Sequence, residues 1–155
     1  MVKKNYQTEI STANTARAYS ANSNISLKYA TEICREIKGK PLKKAVGFME
    51  RILSHETFLP LLKYRRNIPH RKGESKSGVK SGRFPEKPCK AFIGLLNSVK
   101  ANADFKGLDA ENLIIVHAFA SQGFSRYGMQ PKGKIGGKRR RRKATHIEVI
   151  VREGK

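Results

Sequence analysis

The chain has 155 residues, 38% of them hydrophobic, which suits one domain with a modest core. Its 33 Lys and Arg stand against 12 Asp and Glu, a formal net charge of +21 that favours a nucleic-acid partner over an acidic protein or a membrane surface. Two cysteines, Cys34 and Cys89, give neither a disulfide framework nor a Cys-x-x-Cys spacing, and no apolar run nears the roughly 18 residues of a membrane span, so a soluble, unexported protein of a reducing compartment is expected.

Residues 1–24 are polar and rich in Ser, Asn and Ala, with weak strand potential around 15–20. Ser26 is placed to cap a helix in which Leu27, Ala30, Cys34 and Ile37 recur at spacings of three and four, stopping at Gly39. Pro41 opens a second helix, whose Leu42, Ala45, Val46, Met49, Ile52 and Leu53 form an apolar stripe with Lys43, Lys44 and Arg51 opposite. Periodicity then dissolves over residues 59–83, and a connection longer than about 20 residues is functional or disordered more often than structural. Pro85 and Pro88 introduce a third helix carrying Phe92, Leu95, Leu96, Val99 and Ala103, ending before Gly107. Residues 113–120 are continuously apolar and read as a buried strand; residues 145–152 alternate and read as a half-exposed strand antiparallel to it.

Charge is concentrated in two segments. Residues 60–90 carry ten Lys or Arg against two Glu, and residues 112–146 carry nine with no acidic residue, including the run Lys138-Arg139-Arg140-Arg141-Arg142-Lys143. Like charges packed this densely repel one another, so the segment between the last two strands is expected to order only against a polyanion. If both arms continue as a ribbon to about Tyr127, the first arm reaches roughly 50 Å at about 3.3 Å per residue. The body has a radius of gyration of only ~13 to 15 Å, so the ribbon must leave it. Arg126 and Tyr127 offer flat faces for bases, and Gly133, Gly136 and Gly137 allow close backbone approach. The 63–83 loop interleaves Tyr64, His70 and Phe84 with Arg65, Arg66, Arg71, Lys72, Lys76, Lys80 and Arg83, a mixture suited to phosphates and RNA shape rather than base sequence.

Catalytic patterns are missing. His55, His70, His117 and His146 have no ligand spacing, and His117 within a strand reads as structural. The stretch Gly133-Lys134-Ile135-Gly136-Gly137-Lys138 lacks the phosphate-loop pattern, and Glu32 and Glu36, beside Lys28 and Arg35, read as ordinary surface pairs. Neither an enzyme nor a cofactor or metal site is expected.

Three ordered motifs resemble one family. They are Ile25-Ser26-x-Lys28-x-Ala30-x-Glu32-Ile33-x-Arg35-x-Ile37-Lys38-Gly39-Lys40, then Gly82-Arg83-Phe84-Pro85, then Ala101-Asn102-Ala103-x-x-Lys106-Gly107-Leu108-Asp109, with Thr145-His146-Ile147-Glu148-Val149 closing the chain. In this order they are similar to large-subunit ribosomal protein number twenty-two of the universal nomenclature, in its archaeal and eukaryotic form. The resemblance implies an α+β fold, a small three-helix body packed on a short antiparallel sheet with a long protruding β-hairpin. As one domain over 1–155, it would divide into a body of about 12–122 and 144–153, a basic insertion at about 60–84 and the hairpin at about 113–152. It further implies a cytoplasmic ribosomal role: binding 23S-type rRNA of the large subunit, bridging RNA segments during assembly, touching neighbouring large-subunit proteins, and lining the nascent-peptide exit tunnel with the hairpin tip. Neither membrane binding nor homo-oligomerisation belongs to that role.

The residues expected to bind RNA are Arg17, Lys28, Lys38, Lys40 and Lys43 of the body, the seven Arg and Lys of the loop named above, and Arg126, Tyr127, Lys132, Lys134, Lys138, Arg139, Arg140, Arg141, Arg142 and Lys143 of the hairpin. The tip would comprise Met129, Gln130, Pro131, Lys132, Gly133, Lys134 and Ile135. Here Gly133-Lys134-Ile135 stands where the family usually has Gly-Arg-Ala, and Met129-Gln130-Pro131 departs from its Pro-Arg-Ala. A free-standing RNA chaperone using the same basic segments is the rival reading; a secreted, membrane-active cationic protein is disfavoured because the basic residues lie on no amphipathic helix.

Overall fold

The computed structural model describes residues 6–8, 10, 14–73, 75, 77–131 and 137–154. The chain runs β1 (Thr15–Ser23), α1 (Leu27–Ile37), α2 (Leu42–Leu53), β2 (Leu59–Pro60), β3 (Gly82–Arg83), α3 (Glu86–Phe105), β4 (Leu113–Gln122), β5 (Arg126–Pro131), β6 (Gly137–Arg142) and β7 (Thr145–Glu153). This is the expected α+β fold. Among the described residues three antiparallel sheets form: β1-β7-β4, the short β2-β3 pair, and the β5-β6 ribbon.

Helices α1 and α3 lie against one face of the three-stranded sheet, and α2 packs on α3. The core between these layers holds Ile33, Ile37, Met49, Ile52, Phe92, Leu96, Val99, Ile147, Val149 and Val151, all fully buried. Burial of each large apolar side chain contributes about 1.5–3 kcal/mol, which makes this layer the main source of stability. The helical stripes are those of the sequence, except that Leu27 at the start of α1 and Val46 and Leu53 of α2 are only half-buried. Ser26 occupies the cap position of α1, but its carbonyl accepts the Ala30 N–H while its side chain makes no capping bond. Helix α3 ends as its Gly107 foretells: at φ +71 the chain turns back, and Leu108 N–H and Gly107 N–H donate to the carbonyls of Ala103 and Asp104.

Strands β4 and β7 exchange the roles expected of them. β7, read as half-exposed, is the central strand, with Ile147, Glu148, Val149, Ile150 and Val151 all buried. Its alternation separates two covered faces: helices on one side, and on the other the N-terminal segment, whose Gln7 N–H donates to the Glu148 carboxylate at 3.0 Å. β4, read as buried, is an edge strand whose Ile114 and Phe119 are more than one-third exposed. The start of its open edge is covered by the α1–α2 turn, where Gly39 N–H donates to Ile115 O and Ile115 N–H to Lys40 O. Thus a continuous apolar run can form an edge when a turn covers it.

Among the described residues β5 and β6 pair only with each other, in register from Arg126↔Arg142 to Pro131↔Gly137, and every residue in them but Gly128 is exposed. The basic run falls on strand β6 as far as Arg142, and the ribbon continues four residues beyond Tyr127. Three residues, 123–125, break the first arm between body and ribbon.

Candidate nucleic-acid interface

Along a strand, side chains alternate between faces, so the β5-β6 register sorts the ribbon into two unlike surfaces. One carries Arg126, Lys138, Arg140 and Arg142 around Gly128 and Gln130. The other carries Tyr127, Met129 and Pro131 with Arg139 and Arg141. On this second face the Arg139 guanidinium lies 4.0 Å from the Tyr127 ring centre and Arg141 Nε donates to Ser125 Oγ at 3.0 Å. Tyr127 thus has one ring face covered by its own arginine, yet stays 55% exposed, and Met129 is 71% exposed. Across the strands Arg126 faces Arg142 directly. Like charges opposite one another destabilise a strand pair, so the ribbon is held together against its own electrostatics. Lys143 is exposed just beyond β6. Among the tip candidates, Met129, Gln130 and Pro131 form the last exposed positions of β5; Lys132, Gly133, Lys134 and Ile135 lie outside the described residues.

The basic loop is fastened to the body by a residue whose role the sequence conceals. Glu32, read as a surface ion-pair partner, is 1% exposed, and its carboxylate accepts the N–H groups of Lys63 at 2.8 Å, Tyr64 at 2.7 Å and Leu62 at 3.4 Å. Arg35 lies 3.9 Å away. Three backbone donors converging on one buried carboxylate fix the start of the loop; its far end is held by the β2-β3 pair and by Arg71 N–H donating to Lys80 O. Glu36, by contrast, does form an ion pair, but half-buried and with Lys40 at 2.9 Å in place of Lys28 or Arg35.

Several loop cations are set over the protein's own rings. Arg65 lies 5.1 Å over Tyr29 and donates to its hydroxyl at 2.8 Å, Lys28 and Lys63 lie 5.9 and 5.5 Å from Tyr64, and Arg71 lies 5.6 Å over Phe84, which also stacks on His55. Arg83 is half-buried and donates to Gly82 O. Arg66, Lys72 and Lys80 are exposed; Lys76 lies outside the described residues.

The body residues divide between the ends of the sheet. Thr145 Oγ1 donates to Ile25 O beside the ribbon's root, which places Lys28 and the Arg65 turn at that end. Lys38 and Lys40 sit at the other end of α1, near the start of β4, and Lys43 forms an ion pair with Glu111. The two ends of the ten-residue β4 are about 30 Å apart. Arg17 stands apart, 5.0 Å over Tyr6. The candidate cations therefore form separate surfaces rather than one patch.

His117 is the structural histidine its strand position suggests. Its Nε2 lies 2.9 Å from Glu148 Oε1 in the buried outer layer of the sheet. Asn102 and Lys106 of the third motif fasten α3 to the β1 edge, donating to Arg17 O at 3.0 Å and Thr15 O at 2.8 Å. Among the described residues no acidic, His or Cys cluster can hold a metal ion, and no helix is long and apolar enough to cross a membrane.

The profile of the family described as ribosomal protein L22p/L17e matches residues 18–152, from β1 through both basic segments to β7. Proteins named large ribosomal subunit protein uL22 are similar along nearly the whole chain: that of Methanococcus vannielii is 38% identical over 153 residues, covering 99% of each chain. That of Methanopyrus kandleri is 37% identical over 145 residues, 94% of this chain and 91% of the relative, and that of Nanoarchaeum equitans 40% over 149, 94% and 83%. With the fold, both basic segments and the motif order all inside the matched region, the chain belongs to the ribosomal protein L22p/L17e family.

Proposed function

We propose that this protein is a non-enzymatic constituent of the large ribosomal subunit, acting in the cytoplasm, that binds 23S-type rRNA and holds separated RNA segments in a fixed relation. The observation that carries the reading is the ribbon, a two-stranded sheet in which Arg126 opposes Arg142 and no acidic side chain intervenes. Such a pair is marginal in water alone. Phosphates on the Arg126, Lys138, Arg140 and Arg142 face would remove the repulsion, and bases have Tyr127 and the planar guanidinium groups of the other face to stack on. Lys28, the Arg65 turn and the ribbon at one end of the sheet, and Lys38, Lys40 and Lys43 at the other, then grip different RNA segments, with the sheet as the rigid spacer between the two ends. Neighbouring large-subunit proteins are the further partners.

The exposed end of the ribbon supports a finer reading in which Met129, Gln130 and Pro131, with Lys132, Gly133, Lys134 and Ile135 beyond them, line the path of the nascent polypeptide. A photoreactive residue at Met129 or Lys134 should crosslink a stalled nascent chain. Crosslinks to rRNA alone from every position between 127 and 138 would leave an RNA-binding ribbon with no tunnel role. For RNA binding itself, affinity of the free protein for large-subunit rRNA should fall steeply from 50 to 200 mM salt through counterion release. A flat salt dependence contradicts it.

A further inference from the structure

The ribbon leaves the body through Gly123, Phe124 and Ser125, and one residue of another strand touches that junction repeatedly. In the β1-β7 ladder Ser20 pairs with Ile147 and Ser23 with Thr145, so Ala21 and Asn22 together face the single His146. This bulge turns Asn22 to φ +51, a left-handed conformation that asparagine tolerates better than most residues, and the Ser20 and Ser23 hydroxyls close it at 2.7 Å. Asn22 then reaches both arms of the hairpin. Its Oδ1 accepts the Phe124 N–H at 2.9 Å, and its own N–H donates to His146 Nδ1 at 3.2 Å. Tyr19 stacks on the His146 ring from the same strand, with ring centres 5.7 Å apart. Gly123 makes the approach possible: a Cβ there would stand 2.6 Å from Asn22 Oδ1 and 3.2 Å from His146 Nε2. Its N–H donates to Ala144 O, closing the two arms immediately before they separate from the body.

We propose that Asn22 is a positioning residue for the ribbon: its side-chain carbonyl, presented by the β1 bulge, fixes the direction in which β5 and β6 leave the sheet. Without that acceptor, the remaining bonds to segment 123–125 among the described residues come from the hairpin itself, Gly123 N–H to Ala144 O and Arg141 Nε to Ser125 Oγ, and a few degrees of rotation at the root displace the distant end by several ångströms. The bond is exposed and contributes little to the folding of the body. Its consequence is therefore geometric.

The test uses the free full-length protein, so its outcome does not depend on the RNA-binding reading. Spin labels at Lys100→Cys on α3 and Gln130→Cys on β5 report the body-to-ribbon distance, while Cys34 and Cys89, both buried, stay unlabelled. Amide exchange at Phe124 reports the bond itself. Asn22→Gly keeps the left-handed backbone without strain and removes the acceptor; Asn22→Asp keeps an acceptor. Asn22→Gly should broaden the distance distribution and speed Phe124 exchange about three- to tenfold, with the thermal midpoint and core exchange unchanged, whereas Asn22→Asp should match the parent. The proposal is overturned if Asn22→Gly leaves both readouts at the parent values, if Asn22→Asp behaves as Asn22→Gly does, or if Asn22→Gly lowers the midpoint and accelerates exchange throughout the core.

Discussion

Glu32 shows what a single side chain decides here. A carboxylate accepting three backbone N–H groups is among the strongest arrangements a protein offers, and removing it leaves those donors inside a buried site. Glu32→Ala should therefore cost about 3 kcal/mol, lowering the thermal midpoint by about 6–12 °C. Amide exchange at Lys63 and Tyr64 should accelerate more than elsewhere; unchanged exchange there would mean that the loop is held by other interactions. Sequence pattern could not reveal this role, because Glu32 shares a helix face with Glu36, Lys28 and Arg35 and has an ordinary surface residue's neighbours. Only the return of residues 62–64 over α1 buries it. Burial of Cys34 was legible from its place in the apolar stripe of α1, whereas Cys89 stands just before the stripe read for α3. Burial pushes both thiols from 9.0 up to about 12. Because the folded state holds the proton more tightly than the unfolded state, this stability is fully present below about pH 9 and is lost as pH rises toward 12. Denaturation midpoints should fall in that window, and a Cys34→Ala, Cys89→Ala variant should show a shallower fall between pH 9 and 10.5, before Lys and Tyr titration dominates.

At the scale of elements, three helices and strands β4 and β7 could be read from periodicity, because their apolar residues face one core. Strand order could not. A central strand with differently covered faces and an edge strand beneath a turn give alternation and continuity that mimic the opposite arrangement, as β7 and β4 show. The ribbon's charge was plain in the run 138–143, but its division into two faces needed the register of β5 against β6. That division makes a distinct prediction. Arg126→Ala with Arg140→Ala and Arg142→Ala should lower the magnitude of the salt-dependence slope by about 0.7–0.9 for each phosphate that is no longer neutralised. Tyr127→Ala with Arg139→Ala should weaken RNA binding while leaving the slope nearer the parent value, since Tyr127 contributes stacking area. Both sets should retain the parent thermal midpoint, because exposed charges contribute little to folding. Equal slopes for the two sets would contradict a two-faced ribbon.

Across the whole molecule, the apolar layers and the cationic surfaces serve separate ends. The sheet and helices supply a body that folds by burying its own side chains. The cations carry charge that the apolar core does not need, with the Arg65 turn and the ribbon's root at one end of the sheet and Lys38 and Lys40 at the other. Such an arrangement suits the proposed brace between RNA segments, in which affinity would come from many neutralised phosphates and geometry from the rigid sheet between the cations at its two ends. The most direct test is to image large ribosomal subunits containing this protein by electron cryomicroscopy. Residues 126–142 should be enclosed by rRNA, with the Arg126, Arg140 and Arg142 guanidinium groups about 2.7–3.2 Å from phosphate oxygens. A ribbon extending into solvent, or particles from which the protein is missing, would contradict the account.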